Sequence, residues 1–199
     1  MKLVVITQGR KAIGIAEEII EEAMSPYHAY YARVALETGI ARALITYLDE
    51  KPIAVEVYYI TNPGIKILIH YYIAVKPQYQ HKHVAKILIV SAEYLHENQV
   101  DVLVATTTWN NKPTRKLFTS LQYHEYTWEE LEQEIGYENT YTLIQVACAH
   151  EDDLIFIKPT QTSIQKLMNK LKKLKLKTPW KTWDRICYKP WLRLYFKHS

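Results

Sequence analysis

The sequence predicts an α/β (α+β) fold: a mixed, mostly antiparallel central sheet flanked by helices. Two observations carry this reading. Three consecutive β-branched, apolar runs, Ala43–Leu48, Ile53–Ile60 and Ile65–Val75, are separated only by turn residues, which makes an antiparallel meander. The third run is then followed by a helical pattern over 82–97 and another apolar run, Val100–Thr106. A strand, a helix and a strand in that order make a parallel pair, so the sheet is mixed. At 199 residues the chain suits one domain with an appendage, and composition places the boundary after residue 157.

The elements are justified in order. Leu3–Ile6 forms a short strand. Ala16, Ile19, Ile20, Ala23 and Met24 recur at helical spacing, with Glu17, Glu18, Glu21 and Glu22 opposite. A second helix over 26–38 opens on Pro26 and stops at Gly39. Asp49-Glu50-Lys51-Pro52 and Thr61-Asn62-Pro63-Gly64 supply the turns of the meander. In the helix over 82–97, Val84, Ile87, Leu88, Ser91 and Leu95 share a stripe. Beyond Thr106 the pattern predicts a helix over 113–121, a strand over 123–126, an acidic segment over 129–138 and a strand from Tyr141 to Cys148.

Charge divides the chain. Residues 1–157 hold 13 Lys+Arg and 20 Asp+Glu, a net of −7; residues 158–199 hold 12 and 1, a net of +11. The apolar fraction of 48% and charged fraction of 23% exclude long disorder and coiled coil. Cys148 and Cys187 lack metal-knuckle spacing and do not make a disulfide framework, which points to a reducing, cytoplasmic setting. No apolar run spans a bilayer, because Lys66 and His70 interrupt the longest.

The segment Val75-Lys76-Pro77-Gln78-Tyr79-Gln80-His81-Lys82-His83-Val84-Ala85 leads from a strand end through a loop into a helix. A helix N-terminus binds anions through its unpaired N–H groups and the positive end of its dipole. Lys82, Lys86, His81 and His83 gather there while Glu93 and Glu97 lie toward the other end, the reverse of dipole preference unless an anion is seated. Solvated side chains give the alternative account. His81 and His83 form an H-x-H pair with no third ligand at a readable spacing, so no metal site is expected.

These residues resemble the GNAT superfamily of acyl-CoA N-acyltransferases. In that family a strand ending V-x-P enters a [QR]-x-x-G-x-[GA] loop. Gln80 and Ala85 match the ends of that pattern, and His83 stands where its middle glycine usually is. Asn111, Leu117 and Tyr123 fit the family's N-x-x-A-x-x-L-Y-x-x-x-G-F pattern, while Thr114, Phe118 and Gln122 depart from it. The resemblance implies two parallel strands that splay apart around acetyl-CoA. It places Ile73, Ala74 and Val75 along the pantetheine, Gln80, His81, Lys82, His83, Val84 and Ala85 around the pyrophosphate, and Asn111 and Phe118 on the pantetheine side. It also implies transfer of the acetyl group to a primary amine of a protein or small cation. Phe118 replaces the tyrosine that serves many members as acid, and Ile69 and Thr106 stand where some members carry a glutamate base. His70 and Tyr72 on the central strand, with Glu56 and Tyr58 on its neighbour, are the replacement candidates. The alternative is a catalytically impaired protein that keeps the ligand site.

The extension 158–199 contains an amphipathic cationic helix over about 163–177, with Ser163 as its cap. Trp180, Trp183, Tyr188, Trp191, Tyr195 and Phe196 follow. Rings interleaved with lysine and arginine suit nucleic acid or an anionic membrane, and they equally suit docking on the acidic domain or a homodimer interface.

Overall fold

The computed structural model describes residues 2–6 and 10–196; for residues 2–6 the backbone alone is described. The chain divides into two compact units, the described parts of Met1–Tyr59, His70–Tyr94 and Asp184–Ser199 in one, and Ile60–Ile69 with Leu95–Trp183 in the other.

In the first unit the strand order is β1 (Lys2–Ile6), β2 (Ala41–Leu48), β3 (Lys51–Thr61) and β4 (Ile67–Val75). β1 pairs antiparallel with β2 from Lys2↔Tyr47 to Ile6↔Ala43, and β2 pairs antiparallel with β3. β4 folds back on β3, since the Lys76 N–H donates to the Ile53 carbonyl at 2.9 Å. The expected meander is present. Its first turn places Asp49 at φ 47° and Glu50 at φ 64°. Positive φ at both central residues is the geometry a tight hairpin needs to match strand twist.

α1 (Arg10–Ala23) buries Ala12, Ala16, Ile19 and Ile20, while Met24, expected on that stripe, is exposed. α2 (Pro26–Glu37) starts where the sequence predicts: the Ser25 hydroxyl accepts the His28 N–H, Pro26 leads the first turn, and Gly39 takes φ 71° just beyond the end. α3 (Val84–His96) follows β4 through a short 3-10 turn, Pro77–Tyr79.

In the second unit, the start of β4 lies beside β5 (Val102–Thr107): the Lys66 carbonyl accepts from the N–H groups of Asp101 and Val102 at 2.8 and 3.3 Å. Start beside start is the arrangement of a parallel pair. β7 (Leu154–Pro159) inserts between β5 and β6 (His124–Thr127) and is antiparallel to both. α4 (Lys112–Ser120), α5 (Trp128–Ile135), α6 (Tyr137–Ala147), α7 (Ile164–Lys173) and α8 (Trp180–Trp183) complete this unit. A π-helical turn, Asp184–Tyr188, and α9 (Lys189–Tyr195) return to the first.

Here the sequence reading needs correcting. Tyr141–Cys148, expected as a strand, lies in α6, and the last strand is Leu154–Pro159. Leu143, Val146 and Ala147 are buried at spacings of three and one on one helical face, and Tyr137 and Tyr141 stay exposed. A short apolar run fits either period, and packing against its neighbour α5 decides. The cationic helix also ends earlier than expected, at Lys173 rather than near residue 177. The compact units do not follow the charge boundary, because residues 158–183 belong to the second unit and 184–196 to the first. The cysteine spacing indicated no disulfide framework, yet Cys148 and Cys187 are each disulfide-bonded. Among the described residues no helix is long and apolar enough to cross a membrane.

Candidate functional site

The loop that the motif singles out runs from the end of β4 to the start of α3 and lies wholly in the first unit. Two interactions shape its entry. The Gln80 side-chain amide donates back to the Val75 carbonyl at 3.1 Å, and Lys76 is clamped by Glu18 at 2.6 Å and Glu22 at 3.2 Å from α1. Those carboxylates raise the Lys76 pKa, the Glu18 hydrogen bond most of all, so this ammonium is committed to α1. Lys82, by contrast, donates to the Gln78 carbonyl at 3.3 Å, forms no ion pair among the described residues, and lies over the Tyr79 ring.

The decisive feature is the backbone. His81 and His83 both take φ 60°, the left-handed region that side chains other than glycine seldom occupy. Alternation of left-handed residues curls successive N–H groups inward into a concavity suited to anions. The Ile87 N–H, bonded to the His83 carbonyl at 3.2 Å, closes the first turn of α3. The amides of Val84, Ala85 and Lys86 precede that bond and point out of the helix start. Gln80, His81, Lys82 and His83 are all exposed, so this loop faces solvent. His83, at the place of a motif glycine, does take the glycine-like conformation.

The strand ahead of the loop carries the other candidates. Ala74 and Val75 are buried and Ile73 is half-buried. His70 is buried, and its Nδ1 lies 2.5 Å from Glu56 Oε1 on β3, both side chains being fully enclosed. The other carboxylate oxygen, Glu56 Oε2, has no hydrogen-bond partner among the described residues. Tyr72 is half-buried, with its ring against Tyr71 and His28, at centroid distances of 4.3 and 5.7 Å. Burial pushes the Tyr71 hydroxyl pKa well above its ordinary value, against the lowering effect of its hydrogen bond with Tyr72. Sequence reasoning named Glu56 and His70 separately but not as a pair. The signal was there: each stands seven residues from Pro63, the centre of the β3–β4 turn.

No family model matches the chain, nor does any curated protein. Solved structures do. The ribosomal-protein-S18-alanine N-acetyltransferase of Escherichia coli is 17% identical, with a TM-score of 0.59 over 81% of this chain and 96% of that one. The PaiA N-acetyltransferase of Thermoplasma acidophilum, in complex with coenzyme A, is 13% identical, with a TM-score of 0.55 over 80% and 99%. The GNAT family N-acetyltransferase YhbS of Escherichia coli, also with coenzyme A, is 14% identical, with a TM-score of 0.52 over 62% and 69%.

The chain has the GNAT fold.

Within the second unit of this GNAT fold, the other motif residues have definite places. Asn111 caps α4, its side-chain oxygen accepting the Thr114 N–H at 3.3 Å. Phe118 is 2% exposed, stacked on Phe156 and edge-on to Tyr123. At the positions where a glutamate is sought, Ile69 is buried and Thr106 donates to the Asp152 carboxylate at 2.5 Å. Sequence reasoning missed Asp152 because it sits in the loop between α6 and β7, beyond the segment Tyr141–Cys148 expected as the last strand. The acidic segment forms α5 and the start of α6. Thr127 and Glu130 close a capping box there, with Glu129 also in the first turn of α5, where the dipole favours a carboxylate. Among the described residues no group of three or more His, Cys, Asp or Glu side chains could hold a metal ion.

Proposed function

We propose that the protein is a coenzyme A-dependent N-acetyltransferase, moving an acetyl group from acetyl-CoA to a primary amine. The single observation that carries this reading is the pair of left-handed residues, His81 and His83, at the mouth of α3. A backbone held in that shape at a cost of about 1 kcal/mol per residue needs a return, and seating a diphosphate on converging amides is one. Support comes from the GNAT fold itself and from the two neighbours above whose printed names include coenzyme A.

In this reading, amides from His81 to Lys86 hold the pyrophosphate, with Lys82 as a mobile countercharge. Ile73, Ala74 and Val75 line the pantetheine arm. The acetyl carbonyl is polarised by backbone N–H groups. The amine attacks as the neutral base, the carbon–sulfur bond breaks, and the thiolate leaves with a proton. His70, whose Nδ1 is hydrogen-bonded to Glu56, is the candidate acceptor of the amine's proton. Tyr72 is the candidate donor to the departing thiolate.

The test is thermal unfolding with coenzyme A. A ligand that binds only the native state at about 100 times its Kd adds about 2.7 kcal/mol of stability. The melting temperature should therefore rise, and Ala85→Pro, which removes one converging N–H, should abolish much of the rise. No shift at millimolar coenzyme A would overturn the reading. Thiol release with a panel of amines then tests the transfer.

A further inference from the structure

We propose that the second unit carries a separate binding site for a small polyphosphorylated molecule, in the groove where β5 begins. The groove encloses about 510 Å³, within the roughly 300–1,000 Å³ range of small-molecule sites. Three segments build it: Lys66 before β4, Asn98–Asp101 before β5, and Thr160–Lys170 from the end of β7 into α7.

Backbone bonds hold these segments together. The Lys66 carbonyl receives two N–H groups from Asp101 and Val102, and the Asp101 carbonyl receives the Thr160 N–H at 3.2 Å. Ser163 caps α7, and Leu167, Met168 and Leu171 anchor that helix in the core. Lys166 and Lys170, one helical turn apart on α7, line the groove together with Lys66.

The charge balance identifies the ligand. Asp101 is the one carboxylate among the lining residues, and it is already engaged, by the Lys66 N–H at 2.9 Å and by the Lys170 ammonium at 3.2 Å. Lys66 and Lys166 form no ion pair among the described residues. Three ammonium groups, Lys66, Lys166 and Lys170, share this groove with the single carboxylate of Asp101, and a multiply charged anion offsets the excess positive charge. The remaining lining, which includes the Asn98 amide and the Thr162 hydroxyl beside the apolar Val100 and Leu167, adds hydrogen-bond donors. Lysine is a point charge that suits phosphoryl oxygens without bidentate geometry.

Hydrogen exchange of the full chain with and without pyrophosphate tests this. Protection should appear at residues 98–101 and 160–166 at about millimolar ligand, and Lys66→Ala with Lys166→Ala should weaken it about tenfold. Both lysines are at the surface, and circular dichroism confirms that the double variant is folded. Protection at 81–86 reports the coenzyme A loop separately, so the failure of one site is distinguishable from the failure of the other. Absence of protection at 98–101 and 160–166, protection unchanged in the double variant, or protection by a short RNA but not by pyrophosphate would each overturn the assignment.

Discussion

Glu50 sits at φ 64° in the β2–β3 turn, where its Cβ crowds the backbone. Glu50→Gly should therefore stabilise the protein by about 0.5–1 kcal/mol, seen as a higher denaturant midpoint at unchanged slope. At Asp101, burial pushes the carboxyl pKa up, but the Lys66 N–H and the Lys170 ammonium outweigh it and hold it below the ordinary value of 3.8. A lowered carboxylate pKa means stability that is present above the unfolded value and lost as the pH falls through the folded one. Asp101→Asn should flatten the acid side of the melting curve below about pH 4 and leave its shape near neutrality unchanged. If His70 accepts the amine's proton, Glu56→Gln should lower kcat about 100-fold with little change in the KM for acetyl-CoA, and should displace the pH profile of kcat. Legibility at this scale was uneven. The glycine-like demand at His83 could be read from a motif position, whereas that at His81 could not, because no motif glycine marks it.

Asn139 shows what an element can depend on. From the first turn of α6 its amide nitrogen reaches the carbonyls of Ile135, Leu171 and Leu174 at 3.1, 2.9 and 3.0 Å, and its oxygen accepts the Leu176 N–H at 3.0 Å. One buried side chain thus terminates α5, terminates α7 and holds the segment that follows. Asn139→Ala should cost about 3 kcal/mol by orphaning several buried groups, measured by chemical denaturation. The same residue explains why the cationic helix stops at Lys173 although its lysine-rich pattern continues: the carbonyls and N–H groups beyond are bound elsewhere. Such long-range partners leave no local trace, which is also why α6 was misread. The meander, α2 and the α3 entry were legible because turn residues, caps and periodicity are local.

At the scale of the whole chain, the basic extension is shared between the compact units, residues 158–183 in the second and 184–196 in the first. Residues 158–173 contribute the end of β7 and all of α7, which packs on α5 and β7. Cutting the chain after residue 157 should therefore expose the apolar groups that α7 covers and yield an aggregating product, detectable by size-exclusion chromatography. The ion pairs Lys170–Asp101 and Lys175–Glu138 tie basic residues of the extension to acidic ones of the same unit, while Trp191, Tyr195 and Phe196 remain exposed. The strap after α7 has a practical corollary. Lys175 and Lys177 look like inviting cleavage points, but the Leu176 N–H is held by Asn139 and the Lys177 N–H donates to the Pro63 carbonyl at 2.8 Å. A trypsin-like protease must first peel that strand of backbone away before its cleft can close on it, so digestion there should be slow until the unit itself opens.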